Sequence, residues 1–353
     1  MANFNSLTAS NGAITDLRAL LFETLYNEQS FREVITPMTK VLTGQKMDAI
    51  NGMGAVGKTG HGCNPDYESV VVDATEKTWT LGDWQLAKKI CYTELESTIA
   101  KHGLTFDNNG ADIRQTPYWS IVIEKVLTQA ITQMFWRLVW FGDTGAKHKS
   151  AGGVITNSAD VELMKPCDGL FKHLFAIASS DTSKKTSIAA NAKATYAEQI
   201  SAIRTTGVAT GIINDVLYNA DSRISDQDGA ALYMTNAMFK ALREDLRKTS
   251  NLNLSVSEIT KGINVAEYDG VKIIALDVWD RVINEFENTG TDWNNPLRVV
   301  FTAPSNLLVG TSASEFVDTA YFGFDDKQRE NFIFAESNIG TLVAHNELVH
   351  IAY

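Results

Sequence analysis

Thr116-Pro117-Tyr118-Trp119-Ser120-Ile121-Val122-Ile123-Glu124-Lys125-Val126-Leu127-Thr128-Gln129-Ala130-Ile131-Thr132-Gln133-Met134-Phe135-Trp136-Arg137-Leu138-Val139-Trp140-Phe141-Gly142 reads as one long helix around which the rest of the chain is organised. Thr116 is placed to accept from a free backbone N–H as N-cap, and Pro117 lacks the N–H that a first turn leaves unpaired. Gly142 suits the left-handed turn that stops a helix, and Asp143-Thr144-Gly145 continues as a turn. Between these marks Trp119, Ile123, Val126, Ala130, Met134, Leu138 and Phe141 recur every three or four residues, while Glu124, Gln133 and Arg137 fall off the stripe. At 1.5 Å per residue, Pro117 to Phe141 is a rod of about 37 Å. It is not a membrane span, because Glu124, Lys125 and Arg137 interrupt the roughly 20 apolar residues a bilayer requires. Trp136 and Trp140, four apart, read as packing residues.

The chain has 353 residues, 44% hydrophobic and 21% charged, enough for one large core or two smaller ones. Lys+Arg 31 against Asp+Glu 42 leaves a formal net charge of -11, so neutralising a phosphate backbone is not its main work and any contact with nucleic acid is expected to be weak. Cys63, Cys91 and Cys167 are odd in number and widely spaced, indicating neither a disulfide framework nor a zinc site, and a reducing compartment is the simpler inference. The amino terminus has no basic region followed by an apolar core, so no secretory signal is expected.

Taken in order, Ile14 to about Asn27 is an amphipathic helix on a short arm, and Phe31 to Met38 is a predicted strand. Gln45 to Asp66 holds five glycines among small and polar residues and cannot bury much apolar surface alone. Tyr67 to Val72 and Thr75 to Leu81 alternate as two strands joined by Asp73-Ala74, so Gln45 to about Ile90 forms a long hairpin. A two-stranded hairpin is marginal in water and needs its own domain or a neighbouring molecule to lie on. Thr93 to Ala100 reads as a short helix before the rod. After it, Asp143 to Asn157 is a Gly/Ser/Lys loop and a domain boundary. Helices are predicted over Asp168 to Ala178, Tyr196 to Thr206, Ile212 to Leu217 and Asn236 to Lys248, with a surface loop at Ser179 to Lys193. Strands are predicted over Ala231 to Tyr233, Val271 to Leu276, Leu297 to Thr302, Tyr321 to Phe324, Asn331 to Ala335, Thr341 to Ala344 and Leu348 to Ile351.

Gly52-Met53-Gly54-Ala55-Val56-Gly57-Lys58-Thr59 has the spacing of a phosphate-cradling loop, in which backbone N–H groups wrap the phosphates, lysine reaches the outer ones and the hydroxyl meets Mg²⁺. Asp277, closing the apolar run Ile273-Ile274-Ala275-Leu276, resembles the accompanying metal-binding aspartate. The context fails on both sides. Lys46 to Asn51 is a poor buried strand, and Gly60-His61-Gly62-Cys63-Asn64-Pro65 cannot make a first helical turn. A hydrolase using Gly52, Gly57, Lys58, Thr59 and Asp277 is therefore the enzyme alternative, against the plainer reading of a hairpin loop. The histidines, His61, His102, His148, His173, His345 and His350, are scattered without ligand spacing, and no nucleophile elbow or carboxylate pair stands out. No catalytic residue, cofactor or metal is expected.

In the order of its parts the chain resembles the major capsid protein of tailed phages, the Hong-Kong-97-type α+β fold. The resemblance rests on the arm, the Gly-containing hairpin, the long helix ending in Phe141-Gly142-Asp143-Thr144-Gly145, and above all Phe301-Thr302-Ala303-Pro304-Ser305-Asn306-Leu307-Leu308-Val309-Gly310-Thr311, similar to the segment by which many such proteins enter their last strands. Glu330 to Tyr353 fits that ending. The resemblance implies an N-terminal arm over 1–44, an E-loop hairpin over 45–90, a peripheral domain over 91–167 with its spine helix at 117–141, an axial domain over 168–295, and strands returning to the periphery over 296–353.

It further implies a structural role without enzymatic activity: self-assembly as hexamers and pentamers into an icosahedral shell around the double-stranded DNA genome. The hairpin would lie over a neighbouring copy, with Gly54, Gly57, Gly60, Tyr67 and Trp79 among its assembly contacts. Partners would be further copies of the chain, a portal, and a separate scaffold or decoration protein, with weak contact to packaged DNA and no membrane. The protein would be assembled in the host bacterial cytoplasm and reside in the virion. No residue pattern selects Lys46, Lys58 or Lys77 for a covalent crosslink, and none is expected. An encapsulin-type nanocompartment shell shares the fold and is the alternative within it.

Overall fold

A computed structural model describes residues 29–52, 73–91, 128–250, 256–260, 263–314, 319–325 and 330–353. Gln29–Arg32 is a single helical turn, α1, followed by the short strand β1, Thr36–Met38. The expected strand over residues 31–38 is confined to its last three residues, and aromatic packing is the reason: Phe31 sits with its ring 5.0 Å from Phe135 and 5.3 Å from Trp136. Phe31, Val34 and Ile35 are buried, and Glu33 is tied to Lys272 at 2.9 Å. This part of the expected arm is thus built into the core.

Strands β2, Lys46–Gly52, and β3, Asp73–Thr78, pair antiparallel with each other as a two-stranded ribbon, with Gly52 opposite Asp73. Asp73 and Ala74 therefore lie inside a strand instead of joining two. Strand β4, Gly82–Cys91, leaves the ribbon and pairs with Glu330 to Ile339, so the described hairpin closes at Thr78, short of residue 90. The strand expected over 67–72 and the helix over 93–100 lie outside the described residues.

The rod is described from Thr128 to Phe141 as α2. Its inward stripe is Ile131, Phe135, Leu138 and Val139, while Ala130 is exposed and Met134 half-buried, so the stripe is turned by one residue from the expected one. Trp136, Trp140 and Phe141 are buried as well, because the end of the rod is packed on several sides. Gly142 is not left-handed. A Cβ there would stand 2.5 Å from the Cys167 carbonyl oxygen, and Gly169 N donates to Gly142 O at 2.7 Å, so the glycine serves a close backbone approach.

Helix α3, Leu170–Ser180, packs against this end of the rod. The segment expected as a surface loop after it instead contributes strand β5, Lys185–Thr186, with Ile188 and Ala190 buried. There follow α4, Tyr196–Ile203; α5, Val208–Asn219; β6, Ala231–Thr235; α6, Asn236–Ser250; β7, Val256–Thr260; β8, Ile263–Tyr268; β9, Val271–Leu276; and α7, Asp277–Phe286. The chain closes with β10, Val299–Thr302; β11, Leu307–Gly310; β12, Thr319–Asp325; β13, Glu330–Val343; and β14, His350–Ala352. The two strands expected at 331–335 and 341–344 are one.

Two larger sheets organise these elements: a seven-stranded one in the order β5-β14-β10-β6-β9-β8-β7, and a five-stranded one in which β13 is flanked by β11, β12 and β4, with β1 outside β11. In the first, β6 and β9 are parallel, with α6, β7 and β8 between them in the chain. Their alternation places Tyr233, Ile274 and Leu276 in one core with α2, α3 and α7, and Leu232, Met234, Ile273 and Ala275 in a second core with α5 and α6. A sheet buried on both faces reads as a near-continuous apolar run, as Ile273 to Leu276 does. The larger core includes residues on both sides of position 168.

Candidate functional site

Among the described residues expected to carry function, Gly52 and Asp277 lie at different sheets. Gly52 ends β2 in the two-stranded antiparallel ribbon, whereas Asp277 opens α7 at the carboxyl end of β9, an inner strand of the seven-stranded sheet. A phosphate loop must leave a buried strand of a parallel sheet, and β2 belongs to no such sheet. Gly54, Gly57, Lys58, Thr59, Gly60 and Tyr67 lie outside the described residues. Asp277 Oδ1 accepts from Asn236 Nδ2 at 3.1 Å and so serves the helix ends.

Trp79, expected to contact a neighbouring copy, is 1% exposed within its own chain. It packs with Val41, Leu308, Leu342 and Ala344, and its backbone exchanges bonds with Gly44 and Gln45 at 2.8 and 2.9 Å. Its ring lies on Gly310, where a Cβ would stand 2.7 Å from Cζ3, and the neighbouring Gly340 gives Thr80 and Leu81 similar clearance. These two cross-strand glycines, paired in register, form a flat seat for the root of the ribbon. Lys77 Nζ adds a bond to Asn346 Oδ1 at 2.5 Å. The physical reason for the correction is size: a large indole at the root of a thin ribbon gains most by filling its own core.

Cys167 is buried, its thiol pushed up to about 12 by burial first and Asp168 second, which makes it inert. Among the described residues no group of three or more His, Cys, Asp or Glu is arranged to hold a metal ion, and no helix is long and apolar enough to cross a membrane.

The structure does assemble a groove of about 570 Å³ where α6 and α7 start, at the carboxyl ends of the parallel strands β6 and β9. In open α/β sheets this is the end at which the chain leaves a crevice. One wall is a stack of Tyr196 on Trp293, with centroids 3.6 Å apart and planes 16° from parallel. Gln199, fully buried, fixes that wall: its Nε2 donates to the Trp293 and Asn191 carbonyls at 2.9 Å each, and its Oε1 accepts from Trp293 N at 3.3 Å.

The carboxylates in the groove are already engaged. Asp280 accepts from Asn236 N at 2.6 Å and Ala237 N at 2.9 Å, capping α6 from the neighbouring helix. Burial, reinforced by Asp277, pushes its carboxyl up to about 6 against the pull of those N–H groups. Glu244 is held by Arg204 at 2.7 Å and Lys248 at 2.8 Å, which lower it to about 2. Lys240 and Arg281 are exposed on the rim, and the Arg281 ion pair, with Asp277, is a loose one of 3.9 Å. A partner approaching this groove meets aromatic surface and the exposed Lys240 and Arg281 on its rim, with Glu244, Asp277 and Asp280 lining it from within. Of these residues only Asp277 was singled out in the sequence, for a different role, and the Lys240, Glu244, Lys248 spacing on a helical pattern hinted at a charged face.

No protein-family model matches the chain, and no curated protein matches it. In backbone course it is similar to a chain of the satellite phage P4 procapsid, a particle including the size determination (Sid) protein: TM-score 0.53, 8% identity, covering 96% of this chain and 98% of that one. It is also similar to a chain of Gordonia phage Cozz, with TM-score 0.49 and 9% identity over 90% of this chain and 84% of that one. A virus-like particle from Pyrococcus furiosus is a further likeness, with TM-score 0.42 and 13% identity over 97% and 99%. The procapsid likeness runs nearly end to end, and the chain has the mixed helix-and-sheet, Hong-Kong-97-type capsid fold that its order of parts suggested.

Proposed function

We propose that this chain is a major capsid protein of a tailed bacteriophage, assembling from many copies, as hexamers and pentamers, into an icosahedral shell that encloses double-stranded DNA. The observation that carries the reading is the fold, shared over nearly the whole length with a procapsid chain despite 8% identity. Two features of the molecule support it. The β2–β3 ribbon is a sheet of two strands, a form that is marginal in water unless something lies against it. The charged and aromatic groove holds its carboxylates in structural bonds, which suits a contact surface better than acid–base chemistry.

In this reading the chain acts by tiling. Weak contacts repeated over a closed shell add by avidity, and no reaction is required of it. Its formal net charge of -11 is compatible with packaged DNA that touches the wall only lightly. The partners are other copies, a portal and a separate scaffold or decoration protein. The place is the virion, with assembly in the host cytoplasm.

The test is negative-stain electron microscopy and size-exclusion chromatography of the purified protein over a range of salt and crowding agent. Closed particles, or rings of five and six copies, are the expected result. A protein that stays monomeric in every condition, with or without co-expressed scaffold, overturns the reading.

A further inference from the structure

The groove sits at the carboxyl end of β6, and the opposite end of that strand carries a surface of the complementary kind. Helix α5 ends there with Tyr218, which at 86% is the most exposed of the large apolar side chains described. The loop that leads into β6 presents Asp226 and Asp228, both exposed. Tyr268 Oη donates to Asn214 Oδ1 at 3.1 Å, holding α5 beside the end of β8, from which Asp269 and Gly270 turn the chain into β9. One end of the sheet thus offers an unburied aromatic ring and two acids. The other offers an aromatic-walled groove whose own carboxylates, Glu244, Asp277 and Asp280, are bonded within the chain, with Lys240 and Arg281 exposed on its rim. Five residues of strand at about 3.3 Å each separate the two ends by roughly 17 Å.

Complementary patches at opposite ends of one body define a head-to-tail contact, which closes into a ring when the rotation between copies is a whole fraction of a turn without a rise along the axis, and otherwise runs on as an open filament. We infer that the Tyr218, Asp226 and Asp228 end of one copy docks into the Tyr196–Trp293 groove of the next, and that this contact sets neighbouring copies around a ring. Tyr218 is the anchor: a ring moved from water into the groove supplies the apolar gain that exposed charges do not, and aromatic anchors carry most of the energy of such contacts. Asp226 and Asp228 meet Lys240 and Arg281, which fixes the direction and speeds the encounter more than it tightens the complex. The groove accepts the partner without rearranging, because the Gln199 bonds and the Asp280 cap already hold both walls.

The inference rests on the shell reading and adds which surfaces meet. Charge reversal tests it on the full chain. Lys240→Glu alone, and Asp226→Lys with Asp228→Lys, are each expected to raise the protein concentration needed for assembly about tenfold at low salt, and the three changes together to restore it to within about threefold of the starting protein. Tyr218→Ser is expected to weaken assembly at all salt concentrations, whereas Tyr218→Phe retains it. All these positions are exposed, so unchanged melting temperatures separate a lost contact from a lost fold. If the unaltered protein assembles and the reversals have no effect, or if the triple reversal fails to recover what the separate ones lose, the docking is wrong and the shell reading stands. If the unaltered protein forms no assembly at all, both fall.

Discussion

Arg298 is the residue whose burial asks most of its surroundings. It is fully buried, and its guanidinium lies over Phe171 at 4.6 Å, Phe141 at 5.2 Å and Phe175 at 5.4 Å. Its Nε donates to the Asn295 carbonyl and one Nη to the Asn294 carbonyl, both at 2.9 Å, and Glu287 supplies the counter-charge. Burial lowers the arginine's affinity for its proton and Glu287 restores part of it, so the two side chains must be considered together. Removing either partner of a buried pair leaves the other's charge uncompensated, whereas replacing both together does not. Glu287→Ala is therefore expected to destabilise the chain by about 3–5 kcal/mol, and the double variant Glu287→Leu with Arg298→Met, which keeps the aromatic contacts filled and leaves no charge behind, by clearly less. Urea unfolding of the two variants checks this, and a double-variant loss as large as that of Glu287→Ala would show that the ring and carbonyl contacts of the arginine, not the ion pair, dominate.

At the scale of elements, α5 and α6, on one side of the seven-stranded sheet, are capped by neighbouring helices and not by residues of their own. Asp280 on α7 caps α6, and Asp245 on α6 caps α5, accepting from Gly207 N at 2.6 Å, Thr210 N at 3.0 Å and Thr210 Oγ1 at 2.7 Å. Each cap satisfies N–H groups that a helix cannot pair internally and also fixes one helix on the next. Asp245→Ala is expected to cost about 1–2 kcal/mol and to speed amide exchange in the first turn of α5 more than in its last. Such tertiary caps leave no local signature, which is why residues 207–219 are legible only in part, as a helix from Ile212. Val271 to Leu276, by contrast, is legible at its full extent, because a strand buried on both faces over Ile273 to Leu276 shows itself as an apolar run, interrupted here only by Lys272. Helix α7 escapes a reading of the sequence although Trp279, Val282, Ile283 and Phe286 are helically spaced, since Asp277 reads as the end of a strand and not as the start of a helix. The groove is invisible for a related reason: its walls come from residues near 196, 240, 281 and 293, and only the parallel pairing of β6 with β9 brings them together. Trp79 is misplaced by local reading because its seat, Gly310 and Gly340, lies far along the chain.

For the whole molecule, two buried groups among the described residues contribute to the response to acid in opposite directions. His350 is fully buried, with Nε2 2.8 Å from Thr186 Oγ1, and burial together with Lys184 lowers its pKa to about 4. Its unfolded value is about 6.5, so as the pH drops below that point the unfolded chain takes up a proton that the folded one refuses, and stability falls until about pH 4. His173, also lowered by burial, acts in the same sense. Asp280 does the reverse: raised to about 6 in the folded chain, it binds a proton there before the unfolded carboxyl does, at about 3.9, and so adds stability as the pH falls through that window. Asp221 and Glu244, both lowered to about 2, lose their contributions only in stronger acid. Each tenfold difference in proton affinity between the folded and unfolded chain is worth about 1.4 kcal/mol, so the two opposing groups are of similar size and neither dominates. Comparing melting temperatures at about pH 7 and about pH 4.5, His350→Gln is expected to reduce the loss on acidification and Asp280→Asn to enlarge it. Because each variant is compared with itself at two pH values, any effect on packing cancels. Equal losses in the parent and both variants would place the acid response elsewhere, in the exposed carboxylates or in the contacts between copies.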